Sequence, residues 1–491
     1  MNENLQNNRS LGKDALKLTT SKFITIGISM VSAMLLSRFR TLEEYGTYSQ
    51  IMTVTTLTTT IIMLGLPNSI NYFLARAETN EEKDKFLSVY YTISTFLSCF
   101  VGLVLVMSVP LLVKIFANPL ITYFIYFLAV FPWTKIICAS IEHVLIVYNK
   151  SNYIMVYRLL NSGSLLGIIF LIQVCNLNFS VYMMLYVIVE ALFALSVYII
   201  VKHITIKFKF NIDKDLIKKI FVFSIPIGLA TVVGTLNTEL GKLVIGGFLG
   251  TEELAVYTNA SKELPFTIIA SSITAVLLPQ MSKLLKKNEN MEAVSLWGDA
   301  TLISFKINCF FSFALVVFAP EIITILYSEK YLAGVGVFRI YSIILMLRCT
   351  YFGMVLNASG KTKFILYSAL TALGLNIALN YLFFWLFGFI GPAISSFVSI
   401  LMIQVVQLFA TSKILHIKFN KIFQWKAMGQ VLRLNILFGL LFAVLKYILP
   451  LNLYVGEILE SVILGLVWML LIFFFQFKGL RRDWKKFNSH T

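Results

Sequence analysis

Apolar runs of about 20 residues, separated by short polar breaks, recur along almost the whole chain, and each is long enough to cross the hydrocarbon core of a bilayer as an α-helix. About fourteen are predicted, near residues 18–37, 48–74, 86–109, 120–147, 153–174, 180–201, 221–247, 257–280, 297–319, 333–356, 364–387, 390–411, 430–449 and 456–476. A backbone in lipid must satisfy its own hydrogen bonds, which favours helices for runs of this length. Hydrophobic residues make up 58% of the 491 and charged residues 13%, with a mean hydropathy of +0.82. That balance excludes a soluble globular protein and leaves no room for a soluble catalytic or nucleotide-binding domain. The expected fold is an all-α integral membrane protein.

Matching segments recur about 210 residues apart. FRTLEEYGTYS (Phe39 to Ser49) and FLGTEELAVYT (Phe248 to Thr258) align Phe39 with Phe248, Glu43 with Glu252, Glu44 with Glu253 and Tyr48 with Tyr257. At nearly the same offset, Pro110 in VPLLVKIF answers Pro320 in APEIITIL, and Lys150 in KSNYI answers Lys361 in KTKFI. The expectation is two parallel six-helix repeats, residues 1–203 and 204–425, followed at 426–491 by a two-helix hairpin and a basic cytoplasmic tail. Internal repeats of this kind are the ground plan of many secondary transporters.

The net charge of +17 would suggest nucleic acid in a soluble chain, but here it alternates with the loops. With the amino terminus inside, the clusters at Lys13 and Lys17, Arg76 to Lys85, Lys207 to Lys219, Lys283 to Lys287, Lys413 to Lys426 and Lys478 to Lys486 all fall on the cytoplasmic side. This asymmetry orients membrane proteins; it predicts both termini in the cytoplasm and contact with anionic membrane lipids rather than nucleic acid. The first twenty residues lack an apolar core segment, so no cleavable signal peptide is expected and the first span would serve for targeting. Five cysteines, Cys99, Cys138, Cys175, Cys309 and Cys349, show no pairable spacing and read as small core residues. Pro67, Pro226, Pro265 and Pro279 sit within or near the ends of spans, where freed backbone carbonyls must find protein or water.

Four segments resemble the oligosaccharide flippases of the MATE-like superfamily, the Wzx or polysaccharide-biosynthesis transporter family. They are LSRFRTLEEYGTYSQ (Leu36 to Gln50), GKLVIGGFLGTEELAVYTNASKELPF (Gly241 to Phe266), APEIITILYSEKY (Ala319 to Tyr331) and Ala358 to Ser396, with Asn376, Asn380 and the Gly388/Gly391 turn. Their order and spacing carry the resemblance. It implies a bacterial cytoplasmic-membrane carrier that turns a polyprenyl-pyrophosphate-linked oligosaccharide from the inner to the outer leaflet. It also implies work beside a polysaccharide polymerase and chain-length proteins, and no cofactor.

An ionised side chain inside a span costs about 2.5 to 3.5 kcal/mol, so it marks a lumen or a partner. The basic candidates for substrate binding are Lys22, Lys135, Arg158, Lys242, Lys262, Lys306 and Arg348. They outnumber the acids, as suits a pyrophosphate, whose oxygens accept charge-assisted hydrogen bonds from Lys and Arg. The resemblance places spans 1, 2, 7 and 8 around the cavity, which singles out Lys22, Lys242 and Lys262. Glu142, Glu239 and Glu263 are the candidates for a proton-exchanging coupling group. The plainer reading is internal pairing, above all between Glu239 and Lys242, one helical turn apart, and Lys22 and Lys306 could reach the interface along their stems.

Enzyme motifs are weak. SGKTK at Ser359 to Lys363 mimics the end of a phosphate-binding loop, but Val355 stands where glycine is needed. Asp213 and Asp215 form an acid-x-acid pair, here in a lysine-rich loop that reads as a solvated linker, and the four histidines lack metal-ligand spacing. Short outer loops argue against a membrane polymerase or glycosyltransferase. A drug or cation antiporter of the same superfamily remains an alternative, although it would want surplus carboxylates.

Overall fold

A computed structural model of the chain describes residues 2–262, 264–448 and 457–490. Among these the structure is helical throughout, in two compact units, Met1–Ala255 and Val256–Thr491.

The first unit holds α1 (Asn2–Phe39), α2 (Leu42–Met63), a π-helical turn (Ile70–Leu74), α3 (Asn80–Met107), α4 (Val109–Phe116), a 3-10 turn (Pro119–Phe124), α5 (Ile125–Val147), α6 (Ser151–Val174), α7 (Phe179–Ile204) and α8 (Lys214–Phe248). Helix α9 (Thr251–Ala260) carries the chain into the second unit. There follow α10 (Thr267–Lys286), α11 (Asn290–Val317), α12 (Ala319–Leu326), a 3-10 turn (Glu329–Gly334), α13 (Val335–Leu347), α14 (Met354–Ala358), α15 (Thr362–Phe387), α16 (Gly391–Leu415), α17 (Trp425–Ile448) and α18 (Glu457–His490).

The duplication read in the sequence returns as a succession of elements. Helices α3 and α11 each have 28 residues, α4 and α12 each have eight with proline in the first turn, and each pair is followed by a six-residue 3-10 turn. Pro110 and Pro320 thus start helices, where a missing N–H costs nothing. The echoed TLEE and GTEE are also helix starts. Thr41 Oγ1 accepts from the Glu44 amide at 3.1 Å and Glu44 Oε2 from the Thr41 amide at 3.2 Å, a reciprocal cap on α2. At the matching place Gly250 precedes α9 with φ of +114°, a conformation glycine adopts without strain.

Among the described residues, eleven segments are long and apolar enough to cross a membrane, and one of them, Lys363–Leu415, takes in α15 and α16. Several expected spans are interrupted, among them 48–74 at the turn 64–67 and two in the second unit. The run 257–280 leaves the helix after Ala260 and resumes at Thr267, with Pro265 in the break, and 333–356 leaves it after Leu347 and resumes at Met354. The counterpart α5 runs unbroken through Pro132.

In the first unit α1 lies along α6, α3 along α5, and α2 along α8. Glycine permits the last crossing: a Cβ on Gly228 would stand 2.0 Å from the Leu64 carbonyl carbon. In the second unit α15 packs on α16 and α11 on α13, α17 and α18. Asn380 Nδ2 donates to Asn376 Oδ1 at 2.6 Å and Ser395 Oγ to the same oxygen at 2.9 Å, fixing the α15–α16 hairpin. Water does not press these helices together in lipid, so close packing and such bonds carry the association. Large apolar side chains such as Phe96 and Met107 remain more than 70% exposed, as a lipid-facing surface requires.

The expected basic tail is a continuation of the last helix. Lys306 on α11 donates to Asp483 on α18 at 2.5 Å, and Lys486 on α18 donates to the buried Asp299 on α11 at 2.9 Å. Phe487 is buried in the same cluster as Trp297 and Phe423.

Candidate functional site

Lys262 and Arg348 line one cavity of the second unit. Each sits where its helix stops: Lys262 just beyond α9, and Arg348 at the last turn of α13, its amide bonded to the carbonyls of Ile344 and Leu345. Leu264, Leu315, Phe338, Tyr341 and Ser342 complete most of the wall. Its enclosed volume is only about 20 Å³, near the room that one water molecule takes, so in this conformation a diphosphate would have to widen it.

The break after α13 survives because its neighbours satisfy it. Asn308 Nδ2 donates to the Leu345 carbonyl at 3.1 Å, Gln404 Nε2 to the Leu347 carbonyl at 2.9 Å, and Trp297 Nε1 to Thr350 Oγ1 at 2.8 Å. Irregular backbone inside a membrane protein is tolerated where protein supplies such partners or where it lines a cavity. Both conditions hold here. The negative end of the α13 dipole also favours a cation at Arg348.

A second cluster lies in the first unit, on α2, α5 and α8. Lys242 Nζ is 2.9 Å from Glu239 Oε2, Thr53 Oγ1 donates to that same oxygen at 3.3 Å, and Lys135 Nζ donates to Thr56 Oγ1 at 2.6 Å. Glu190, which accepts from Asn161 Nδ2 at 3.1 Å, is within electrostatic reach of Lys135 together with Glu239 and Lys242. Two lysines and two glutamates make this cluster balanced in charge.

The other candidates fall in several places. Arg158 forms a bidentate pair with Glu142, its Nη2 donating at 2.5 Å, and its Nη1 reaches the Leu18 carbonyl at 3.3 Å, tying α6 to α5 and α1. Lys306 is held by Asp483, with both side chains about nine-tenths buried. Lys22 projects from an exposed stretch of α1. Glu263 lies outside the described residues. The sequence reading missed Thr53, Thr56 and Tyr341; the threonine-rich run TVTTLTTT in α2 was the available signal, since hydroxyls inside a span seek polar partners.

Asp213 and Asp215 show no metal-site geometry. Asp213 pairs with Lys85 at 2.6 Å and accepts from the Leu216 amide at 3.0 Å as the cap of α8. The Lys85 ammonium holds the Asp213 carboxyl below its ordinary range. No group of three or more metal-ligating side chains occurs among the described residues.

Comparison with known proteins supplies the lineage. Residues 35–336 match the family profile described as polysaccharide biosynthesis protein. The chain is 22% identical to the Staphylococcus aureus capsular polysaccharide biosynthesis protein CapF over 38% of its own length and 48% of that protein's. It is 22% identical to the probable low-salt glycan biosynthesis flippase Agl15 of Haloferax volcanii over 45% and 48%. The chain thus spans about half the length of these curated relatives. Among solved structures, the lipid II flippase MurJ in its inward closed conformation superposes with a TM-score of 0.73 at 17% identity, covering 94% of this chain and 99% of that one. An inward-facing MATE multidrug transporter of the MOP superfamily gives 0.66 at 16% identity, over 82% and 98%. The structures share the fold, and the profile, which matches more than half of the sequence, places the chain in the polysaccharide biosynthesis protein family.

Proposed function

We propose that the chain is a secondary transporter that turns a polyprenyl-pyrophosphate-linked oligosaccharide from the inner to the outer leaflet by alternating access, for assembly of a cell-surface polysaccharide. The observation that carries this reading is the meeting of Lys262 and Arg348 at two helix interruptions on one cavity wall. Interrupted helices are where carriers of this general plan place their binding groups, and two cationic side chains lining one cavity suit a diphosphate better than a cationic drug. The relatives named for capsule and glycan biosynthesis agree in substrate class.

On this reading the chain is a carrier rather than an enzyme, resides in a bacterial cytoplasmic membrane with both termini inside, and serves a polymerase that extends the exported unit. Counting α15 and α16 as separate spans and adding α2 and α10 to the apolar segments gives the fourteen spans of this reading. The ancestral repeats are 1–203 and 204–425, with 426–491 appended. Glu239 is the group we assign to proton coupling, with Glu142 and Glu263 behind it.

The test replaces Lys262 or Arg348 by Ala and follows surface polymer and membrane insertion separately. Each change should lower export about tenfold or more, the loss of one charge-assisted contact, with insertion intact. Arg348→Lys should recover part of it and Arg348→Glu none. Wild-type export from both Ala variants would overturn the assignment.

A further inference from the structure

The segment between α7 and α8 is laid along α3 in a fixed register. Asp84 Oδ2 accepts from the Ile206 amide at 3.0 Å and the Lys207 amide at 2.7 Å. One turn further along α3, Ser88 Oγ accepts from the Lys209 amide at 3.3 Å, and one turn beyond that Thr92 Oγ1 accepts from the Asn211 amide at 3.0 Å. The two periods fit. Four residues of helix rise about 6 Å and two residues of extended chain about 6.6 Å, so side chains four apart on α3 meet amides two apart on the segment.

The intervening side chains reinforce the same register. The Phe208 ring lies 6.1 Å from that of Tyr91 on α3, Phe210 lies 6.2 Å from Tyr198 on α7, and the two phenylalanines are 5.7 Å apart. Asp84 is only 7% exposed and Ser88 3%. The Thr92 hydroxyl that accepts from Asn211 itself donates to the Ser88 carbonyl at 2.7 Å. At the far end Lys85 clasps Asp213, the residue that caps α8. A linker that only joined two halves would not need four amides, a ring and an ion pair committed to α3 and a second ring to α7.

We propose that residues 205–213 are a fixed strap that keeps the first turn of α8 attached to α3 throughout the working cycle. The root of α8 and α3 then move as one piece, and any rearrangement at Glu239 and Lys242, farther along α8, arises within that helix and not at its root. The part of this inference that concerns a working cycle rests on the transporter reading; the strap itself does not.

Hydrogen exchange on the full chain in lipid nanodiscs tests the strap without any transport assay. The amides of Ile206, Lys207, Lys209 and Asn211 should exchange slowly, and Asp84→Ala should speed them at least about tenfold while amides in α5 keep their rates. Asp84→Asn retains an acceptor oxygen and should stay near wild type. Exchange at unprotected rates in the wild-type chain would overturn the strap.

Permanence is tested by Lys85→Cys/Asp213→Cys, bridged in cells with a short bis-maleimide, with each single variant as control. Polymer export should equal that of the same double variant before bridging, and should fall in Asp84→Ala. Arrest on bridging would show that the segment must detach, and would overturn the fixed strap. Absence of export from every version, wild type included, would instead count against the transporter reading, leaving the exchange result standing.

Discussion

Gly65 and Gly228 meet backbone to backbone. A Cβ on Gly65 would lie 2.7 Å from the Gly228 nitrogen, and Gly65 itself has φ of +72°. Gly228→Ala should therefore lower thermal stability in detergent by about 1 to 3 kcal/mol, the usual cost of overpacking where backbone must yield. Gly65→Ala adds the left-handed penalty of about 1 kcal/mol and should be worse. Gly163 and Gly167 have nothing within 4 Å of the equivalent position, so alanine there should leave the melting temperature unchanged or raise it. A melting series on fluorescently tagged protein decides it.

The reciprocal pairs between α11 and α18 predict a rescue. Lys306→Met leaves Asp483, whose side chain is 12% exposed, with only the exposed Arg482 at 3.6 Å, and should cost about 1 to 3 kcal/mol, since a poorly compensated buried charge is the expensive outcome. Lys306→Met/Asp483→Leu removes both charges and should melt near wild type. A double variant as unstable as the single one would mean that Lys306 is engaged elsewhere.

Glu239→Gln keeps the shape at the α8 cluster but cannot titrate. Export should fall and lose its response to the proton gradient, and Lys242→Met in the same chain should not restore either. Measured with the gradient clamped at two values, recovered export with unchanged gradient dependence in the double variant would leave Glu239 and Lys242 as an ion pair and nothing more.

Orientation is checked with reporters inserted after Asn288, in the turn between α10 and α11, and near Asn452, between the last two predicted spans. The charge asymmetry requires a cytoplasmic signal from the first and an external one from the second. The reverse at either site removes the topology on which inner-to-outer transport depends.

Much of this architecture was legible because membrane helices are written in runs of apolar residues, and because duplicated runs repeat their punctuation. Pro110 and Pro320, and the TLEE and GTEE segments, mark only the repeat in the sequence; that each stands at a helix start comes from the structure. The two interruptions of the second unit were harder to see. Pro265 marks one, but the break at Arg348 is made by Asn308, Gln404 and Trp297 from other helices, and no local pattern reports a partner that distant. Charge alone could not report which in-span cations are structurally paired either: nothing in the sequence around Lys306 points to Asp483, 177 residues away, as its partner.

The 28-residue length shared by α3 and α11 sets a ruler. At 1.5 Å per residue each measures about 42 Å, against a hydrocarbon core of about 30 Å. Upright, such a helix reaches from one headgroup layer to the other, with its polar first residues, Asn80 to Lys85 in α3, outside the core. Both units carry the same ruler, so a thinner or thicker bilayer bears on both alike, and membrane thickness becomes a variable to which the whole molecule, rather than one side of it, is tuned.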